Sequence, residues 1–305
     1  MKKPTLPASL KRPTPIPESV ATLISRGLAI EEAEAIDAGA LGFMARCMTL
    51  ASLPHSRVAG AEFVRRNGKF TLSIVAPSHI GLPYGAMPRL LLAWLTTEAV
   101  RTKSRDLILG NSLSAFMRQL DLTHTGGANG TSRRVKDQSR RLFNAMITAS
   151  YEDASRTADM GYRIADRTML WWNARDPGQG SLWESTVTLT TQFFEEVTTR
   201  PVPVDMRALK ALRSSPLAID IYTWLTYRMS YLSKPTVITW ATLQGQFGAG
   251  YPQTGQGLRD FRKHFIPALR RVLAVYGGAK ATPTDAGMQL APGRPHVGML
   301  TNGSR

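Results

Sequence analysis

The chain has 305 residues, with 38 Lys and Arg against 22 Asp and Glu, a formal net charge of +16 and a sequence pI near 10.4. This length allows one large domain or two of ordinary size, and the basic excess suits nucleic acid, an anionic membrane surface or an acidic partner. No apolar run reaches the roughly 20 residues that cross a bilayer, no apolar segment follows the Lys pair at the N-terminus, and the one cysteine excludes an internal disulfide. These features predict a cytoplasmic protein without a membrane segment.

Residues 1–40 are predicted to form a basic, Pro-rich N-terminal arm followed by a short helix. Five prolines lie among scattered lysines and arginines before residue 18, a composition that opposes regular structure. Apolar and small residues then recur at helical spacing over 19–52, which predicts one or two short helices. Further along, Asn67-Gly68 separates two strand-like runs. Because this pair tolerates positive φ at both turn positions, it predicts a β-hairpin.

The segment 88–146 predicts the order helix, strand, helix, turn, helix. A proline is well placed in a first helical turn, so a helix begins at Pro88. A short strand follows at 106–109, and Ser112 can cap the next helix. Glycines at 126, 127 and 130 break that helix, and a third helix starts at Thr131 or Ser132.

The third helix of this segment is strongly amphipathic in the sequence. Its apolar positions Val135, Leu142 and Met146 are predicted to face the core. Its outer face carries five basic residues and one acid, Asp137. The basic residues are Arg133, Arg134, Lys136, Arg140 and Arg141. Segments 147–152 and 161–172 then predict a hairpin that would be the wing of a helix-turn-helix unit.

The same order recurs after residue 216. Pro216 opens a helix, 236–238 is a short strand, and Thr239 is the predicted cap of the next helix. A Gly-rich turn at 248–257 precedes a second basic amphipathic helix, in which Pro267 is predicted to cause a kink or a break. Five basic residues lie opposite its apolar stripe, with Asp260 as the one acid: Arg259, Arg262, Lys263, Arg270 and Arg271. Segment 279–291 predicts a second wing.

The stretch NARDPGQG at 173–180 is the best candidate for an internal linker, because it combines proline, two glycines and polar residues. The predicted organisation is therefore the arm at 1–40, a first winged-helix domain at 41–175, a second at 181–298 and a tail at 299–305. The predicted fold class is α+β, with two tandem winged helix-turn-helix domains and small β-hairpin wings.

Sequence-specific DNA binding follows from the repetition of the basic helices. One basic helix is usually a solvated surface, but two at the same position of two repeats fit a protein that lies along one duplex. The sequence contains no phosphate-binding loop of the Walker type, no nucleophile elbow, no convincing carboxylate pair and no histidines at metal-ligand spacing, so neither an enzyme nor a cofactor or metal is expected.

A set of colinear blocks over roughly residues 60–290 carries a resemblance to a known family. The blocks include GLPYG at 81–85, PRLLLAWLTTEA at 88–99, GNSLSAFM at 110–117, TGG at 125–127, RRLF at 140–143, LWW at 170–172, SLWES at 181–185, FFEE at 193–196, PVPVD at 201–205, IYTWLTYR at 221–228 and QFG at 246–248. In these blocks the chain resembles the RepA-type plasmid replication initiators of broad-host-range bacterial plasmids.

The resemblance implies a protein that binds tandem repeats (iterons) in double-stranded plasmid origin DNA and recruits a host replication initiator and the replicative helicase. It also implies a balance between a DNA-binding monomer and a homodimer, and no catalytic residue. The second basic helix would then read the major groove with Arg259, Arg262 and Lys263. The first, with Arg133, Arg134 and Arg140, would contact the site more through phosphates.

Three other classes of function stay open on the sequence. A transcriptional repressor of the same fold would bind one operator and recruit nothing. A nicking or priming enzyme needs a metal cluster or a tyrosine beside paired histidines, which Tyr151 and Tyr162 lack. A purely structural basic protein would show no sequence preference.

Overall fold

The structure is a computed structural model that describes residues 18–50, 52–125, 127, 130–173 and 175–298. It begins with α1 (Glu18–Glu31), β1 (Leu41–Met44) and α2 (Arg46–Leu50). The helical prediction for 19–52 is confirmed for α1 and α2 but missed the strand between them. The predicted basic arm before residue 18 and the tail at 299–305 lie outside the described residues.

The predicted hairpin around Asn67-Gly68 is confirmed. Its strands are β2 (Glu62–Asn67) and β3 (Phe70–Val75), which pair antiparallel with Asn67 opposite Phe70. Gly68 has φ of 59°, the left-handed conformation that such a tight turn requires. The hairpin forms half of a four-stranded antiparallel sheet.

The helix, strand, helix, turn, helix order of the first repeat is confirmed. Its elements are α3 (Ala86–Thr102), β4 (Asp106–Gly110), α4 (Leu113–Gln119) and α5 (Thr131–Asn144). The Ser112 hydroxyl accepts a hydrogen bond from the Ala115 amide at 3.2 Å, as expected of a cap. Met146 is 49% exposed and begins a strand, so its predicted core position is wrong.

The first predicted wing is partly correct. After α5 come β5 (Met146–Glu152), β6 (Thr157–Arg163), β7 (Ala165–Met169) and β8 (Ser185–Leu189). β5 and β6 do pair, and they join the earlier hairpin in the sheet order β2-β3-β5-β6. The chain turns at the buried Ile164, however, so that β7 belongs to a second sheet, β4-β8-β7. The predicted second arm, 161–172, is thus divided between two sheets.

The second repeat has the predicted order throughout. After β8 come α6 (Thr191–Thr199), β9 (Val202–Asp205), α7 (Met206–Ala211), α8 (Pro216–Met229), β10 (Thr236–Thr239), α9 (Trp240–Phe247), α10 (Gly255–Val275), β11 (Ala281–Pro283) and β12 (Gly287–Leu290). Thr239 caps α9, and β11 and β12 form the predicted hairpin in the sheet order β10-β12-β11. Pro267 does not break α10, which continues through it.

The chain is a mixed α and β protein whose described strands pair in small antiparallel sheets. One continuous cluster of buried apolar residues runs through both repeats. Two features join the repeats directly. β1 pairs with β9, and β8 lies between β4 and β7 although it follows the predicted linker. The boundaries at 175 and 181 stay a prediction, but 173–180 connects neighbouring strands of one sheet.

A buried ion pair also links the first helices of the two repeats. Arg89 of α3 donates from Nε to Asp220 Oδ1 of α8 at 2.6 Å and from Nη2 to Oδ2 at 2.7 Å. The same guanidinium donates to the carbonyls of Leu53, Pro54 and Gly85. Burial alone would raise the pKa of Asp220, but Arg89 and a hydrogen bond from His55 hold it below its ordinary value. The carboxylate is therefore charged and fully engaged.

Candidate nucleic-acid interface

The outer face of α5 presents basic side chains to solvent because its opposite face is fixed in the core. Val135 and Leu142 are fully buried there. Arg133, Arg134 and Arg140 are exposed, and no described acidic residue pairs with any of them. Such unpaired guanidinium groups along one helix suit contacts with phosphates or base edges.

Two of the predicted DNA-binding residues of α5 are engaged elsewhere. Lys136 is exposed, but its Nζ donates to the backbone carbonyl of Trp172 at 2.6 Å. Arg141 has 14% side-chain exposure and pairs with Asp137 at 2.8 Å, one turn earlier on the same helix. Its guanidinium also lies 5.6 Å from the ring centroid of Tyr84. Arg141 therefore stabilises the packing of α5, and we leave it out of the proposed interface.

The start of α10 is fixed by a local cap and by aromatic packing. The Thr254 hydroxyl accepts a hydrogen bond from the Gly257 amide at 3.1 Å. One turn later Phe261 and Phe265 are fully buried, with their ring centroids 5.2 Å apart. This anchoring sets the rotation of the helix, so that the residues between the aromatic positions face solvent.

Arg259, Lys263 and Arg270 lie on one line of the exposed face of α10, since residues four and eleven apart on a helix share a face. Arg259 is held by Gln256, whose side-chain oxygen accepts from its Nε at 3.1 Å and from its Nη2 at 2.8 Å. Within the described residues, Lys263 and Arg270 have no hydrogen-bond or ion-pair partner. The line therefore offers three cations to a partner.

Arg262 lies on the side of α10 that meets the β11–β12 hairpin. Its guanidinium stacks 4.9 Å from the ring centroid of Trp240, and its Nη2 is 3.6 Å from Oδ1 of Asp285 in the hairpin turn. The indole face restricts the guanidinium, while the fully exposed Asp285 adds little attraction in water. Arg262 is thus oriented beside the exposed line and remains 33% exposed.

The sequence did not single out Arg156 as a candidate DNA-contacting residue, although it lies between the two strands of the predicted wing. It occupies the β5–β6 turn, is 70% exposed, and its guanidinium lies 5.1 Å from the Tyr151 ring centroid. Asp153 shapes that turn by accepting hydrogen bonds from Ser155 and from the amide of Arg156. The sequence signal was an Asp-x-Ser turn with a terminal arginine between two strands.

Other kinds of site receive little support. The part of the chain that the structure describes contains no group of three or more His, Cys, Asp or Glu residues that could hold a metal ion. Burial raises the pKa of Cys47 to about 12, and its sulfur lies 2.9 Å from the Tyr162 hydroxyl. A thiol of that kind is unreactive at neutral pH. None of the described helices is long and apolar enough to span a membrane.

Both repeats thus end in a helix whose exposed face is basic. The sequence model of the family described as "Plasmid encoded RepA protein" matches residues 82–242, which is more than half of the chain. The chain belongs to this family of plasmid replication initiators. The search of curated proteins found no significant match.

A solved structure shares the fold. It is titled "Crystal structure of SeMet derivatives of domain2 and domain 3 of RctB". The match has a TM-score of 0.53 and 14% sequence identity, and it covers 83% of this chain and 97% of that chain. At this identity the likeness concerns the fold alone. It extends over both repeats, well beyond the residues matched by the family.

Proposed function

We propose that the protein initiates plasmid replication by binding tandem repeats (iterons) in double-stranded origin DNA through two winged helix-turn-helix units. The observation that carries the proposal is that α5 and α10, at equivalent positions of the two repeats, both present arginines or lysines without acidic partners among the described residues. Membership of the plasmid initiator family supports the same function.

The second unit supports the winged-helix assignment more strongly than the first. Its order is α8-β10-α9-α10-β11-β12, and the turn of the final hairpin reaches the last helix, with Asp285 lying 3.6 Å from Arg262. A helix in the major groove with a hairpin along the backbone is a common DNA-binding geometry. In the first unit the corresponding hairpin, β5–β6, is joined to β3 instead of β4, which makes a larger sheet beside α5.

The two helices are assigned different roles in this proposal. Arg259, Arg262 and Lys263 at the start of α10 read base edges in the major groove. Arg133, Arg134 and Arg140 of α5 bind phosphates and position the protein. Recruitment of a host replication initiator and helicase, a competing homodimer, a cytoplasmic location and the lack of catalysis are further parts of the proposal.

Binding to the plasmid's own origin tests the proposal. Labelled duplex from the DNA flanking the coding region, with tandem repeats about two helical turns apart, is titrated against a scrambled duplex of equal length. If about five to eight phosphates are neutralised, the slope of log K against log salt is about −4 to −7. Several copies should occupy the array, whereas a transcriptional repressor would occupy one operator. Equal affinity for the scrambled duplex would disprove specific binding.

A further inference from the structure

A second basic feature lies behind the C-terminal half of α10. A surface pocket of about 440 Å³ is enclosed by α1, the turn between α7 and α8, and α10. Three arginines line it, one from each element: Arg26, Arg213 and Arg271. The other lining residues are Thr22, Leu23, Ala211 and Ser214, so no described carboxylate takes part.

The three guanidinium groups are poorly neutralised by the surrounding protein. Arg271 donates to the Ser214 hydroxyl, and Arg26 is exposed to solvent. Arg213 donates from Nη1 to the backbone carbonyl of Asp121 at 2.9 Å, and the same nitrogen is 3.7 Å from the Asp121 carboxylate, which is 64% exposed. Several like charges in one concavity raise the local potential and attract an anion. Arginine forks match the oxygens of a phosphate group.

The pocket is lined in part by α10 and contacts the segment that leads into α5. Along α10, Arg271 is twelve residues beyond Arg259, which corresponds to about 18 Å at 1.5 Å per residue. On its other side, Arg213 contacts Asp121, which follows α4 and precedes the loop that leads into α5. At about 100° per residue, Arg271 is rotated by about 120° around α10 from Arg259, so the pocket lies on the flank of the helix beside the exposed line. A duplex that runs along this flank from α10 toward the first unit would bring its backbone to the pocket.

We infer that the pocket holds phosphates of the DNA backbone between the stretch contacted by α5 and the stretch read by α10. The inference rests on the proposed function and adds a third contact to it, one that reads no bases. Arg26 and the N–H groups of Arg271 that do not bind Ser214 supply the donors, and Arg213 positions the pocket against the first unit through Asp121. This contact couples the two units on one duplex.

A double variant, Arg26→Ala with Arg271→Ala, tests the contact. Arg213 is left unchanged because its variant would also disturb Asp121. The matched control, Arg101→Ala with Arg200→Ala, removes the same charge from two exposed arginines that do not line the pocket. On origin duplex, the pocket variant should reduce the magnitude of the salt slope by about 2 relative to the control, at about 0.9 per phosphate. Equal slopes would overturn the inference.

Uncharged replacements of single phosphates in the DNA show where the pocket contacts the backbone. Methylphosphonates are placed in the backbone between the two contacted stretches or, in a second duplex, at its far end. The central replacement should weaken binding of the wild type and the control variant, and it should leave binding of the pocket variant unchanged. If the pocket variant responds to central replacement as much as the wild type, the arginines do not hold those phosphates and the inference is wrong.

Two further results distinguish the pocket inference from a failure of the proposed function and from binding of a free polyphosphate. A wild type that binds origin and scrambled duplex equally contradicts the proposed function, whereas specific binding that is indifferent to the central phosphates contradicts the pocket alone. Sodium tripolyphosphate, titrated by calorimetry, should compete with DNA only weakly. Tight tripolyphosphate binding that is lost in the pocket variant without any loss of DNA binding would assign the pocket to a free polyphosphate instead.

Discussion

Lys263 and its neighbour Phe261 are close in sequence but differ in what they contact. Lys263 is exposed and has no described partner, whereas Phe261 is fully buried against Phe265 and Tyr251. We expect Lys263→Ala to weaken origin binding and to lower the salt slope by about 1 while leaving the melting temperature unchanged. We expect Phe261→Ala to lower the free energy of unfolding by about 3–5 kcal/mol. Binding titrations and thermal melts separate the two effects.

Lys234→Ala is the control for the Lys263 variant, since Lys234 is an exposed lysine in the α8–β10 loop and outside both basic helices. It should change binding less than Lys263→Ala. Normal binding by a Lys263→Ala, Arg262→Ala double variant would remove α10 from the reading role.

The buried pair Arg89–Asp220 predicts a large loss of stability when one partner is removed. In Asp220→Ala the guanidinium of Arg89 remains buried without its carboxylate, and the equally buried Arg65 loses the favourable charge of Asp220. Breaking such a pair typically costs about 3–5 kcal/mol. Urea denaturation of the variant measures the change. A loss no larger than that of an exposed control, Asp176→Ala, would mean that this pair does not hold the two helices together.

His55 makes stability depend on pH. Burial holds the pKa of His55 below its ordinary 6.5, against the opposing effect of Asp220, so the folded protein keeps a neutral imidazole that the unfolded chain protonates. Stability should therefore fall as the pH drops below about 6.5 and stop falling once the folded group is itself protonated. Burial also lowers the pKa of His296, which adds to the slope. His55→Gln should reduce this slope, by at most one proton, in denaturation curves at pH 5–7, and an unchanged slope would contradict the assignment.

At the scale of elements, local signals identified the helices and the hairpins. Ser112 and Thr239 act as the predicted caps, and Gly68 supplies the predicted turn. The strands β1 and β9 were missed because each has four residues and pairs only with a segment far away in the chain. Short buried strands carry no periodicity of their own, so their existence depends on tertiary contacts. Pro267 lies at an exposed helix position, which explains why α10 tolerates it better than the sequence suggested.

The β11–β12 hairpin brings one negative charge next to α10. Asp285 in its turn is fully exposed and lies 3.6 Å from Arg262. If DNA occupies this face, that carboxylate is repelled by phosphates, so Asp285→Ala should strengthen origin binding, most clearly at low salt. Asp176→Ala removes the same charge from an exposed residue between β7 and β8 and should have a smaller effect. Anisotropy titrations at two salt concentrations compare them. An effect of Asp285→Ala no larger than that of Asp176→Ala would place the hairpin away from the DNA, and weaker binding by Asp285→Ala would contradict the repulsion.

At the scale of the whole molecule, the sequence predicted two repeats but not the way in which they are joined. The duplicated order was visible because caps, turns and basic faces are local features. The pairing of β8 with β4 and β7, and the contact of Arg89 with Asp220, join residues that are far apart in sequence. The sequence predicted that the basic residues of α5 share one outer face. It did not predict that Arg141 contacts Tyr84 and that Lys136 binds the carbonyl of Trp172, because these two partners belong to other segments of the chain.

Cleavage in the 173–180 loop tests how far the repeats depend on each other. Arg175 is exposed, and we expect trypsin to cut there early. The two pieces should nevertheless stay together, because β8 pairs on both edges with strands from the first piece and Asp220 remains bound to Arg89. Gel filtration of the cut protein should show one species.

A fragment of 181–298 made alone should unfold at a lower urea concentration than the cut complex, since Val187 and Leu189 would lose their buried surroundings. Two separate peaks, together with a fragment as stable as the intact chain, would instead establish two autonomous domains joined by a true linker.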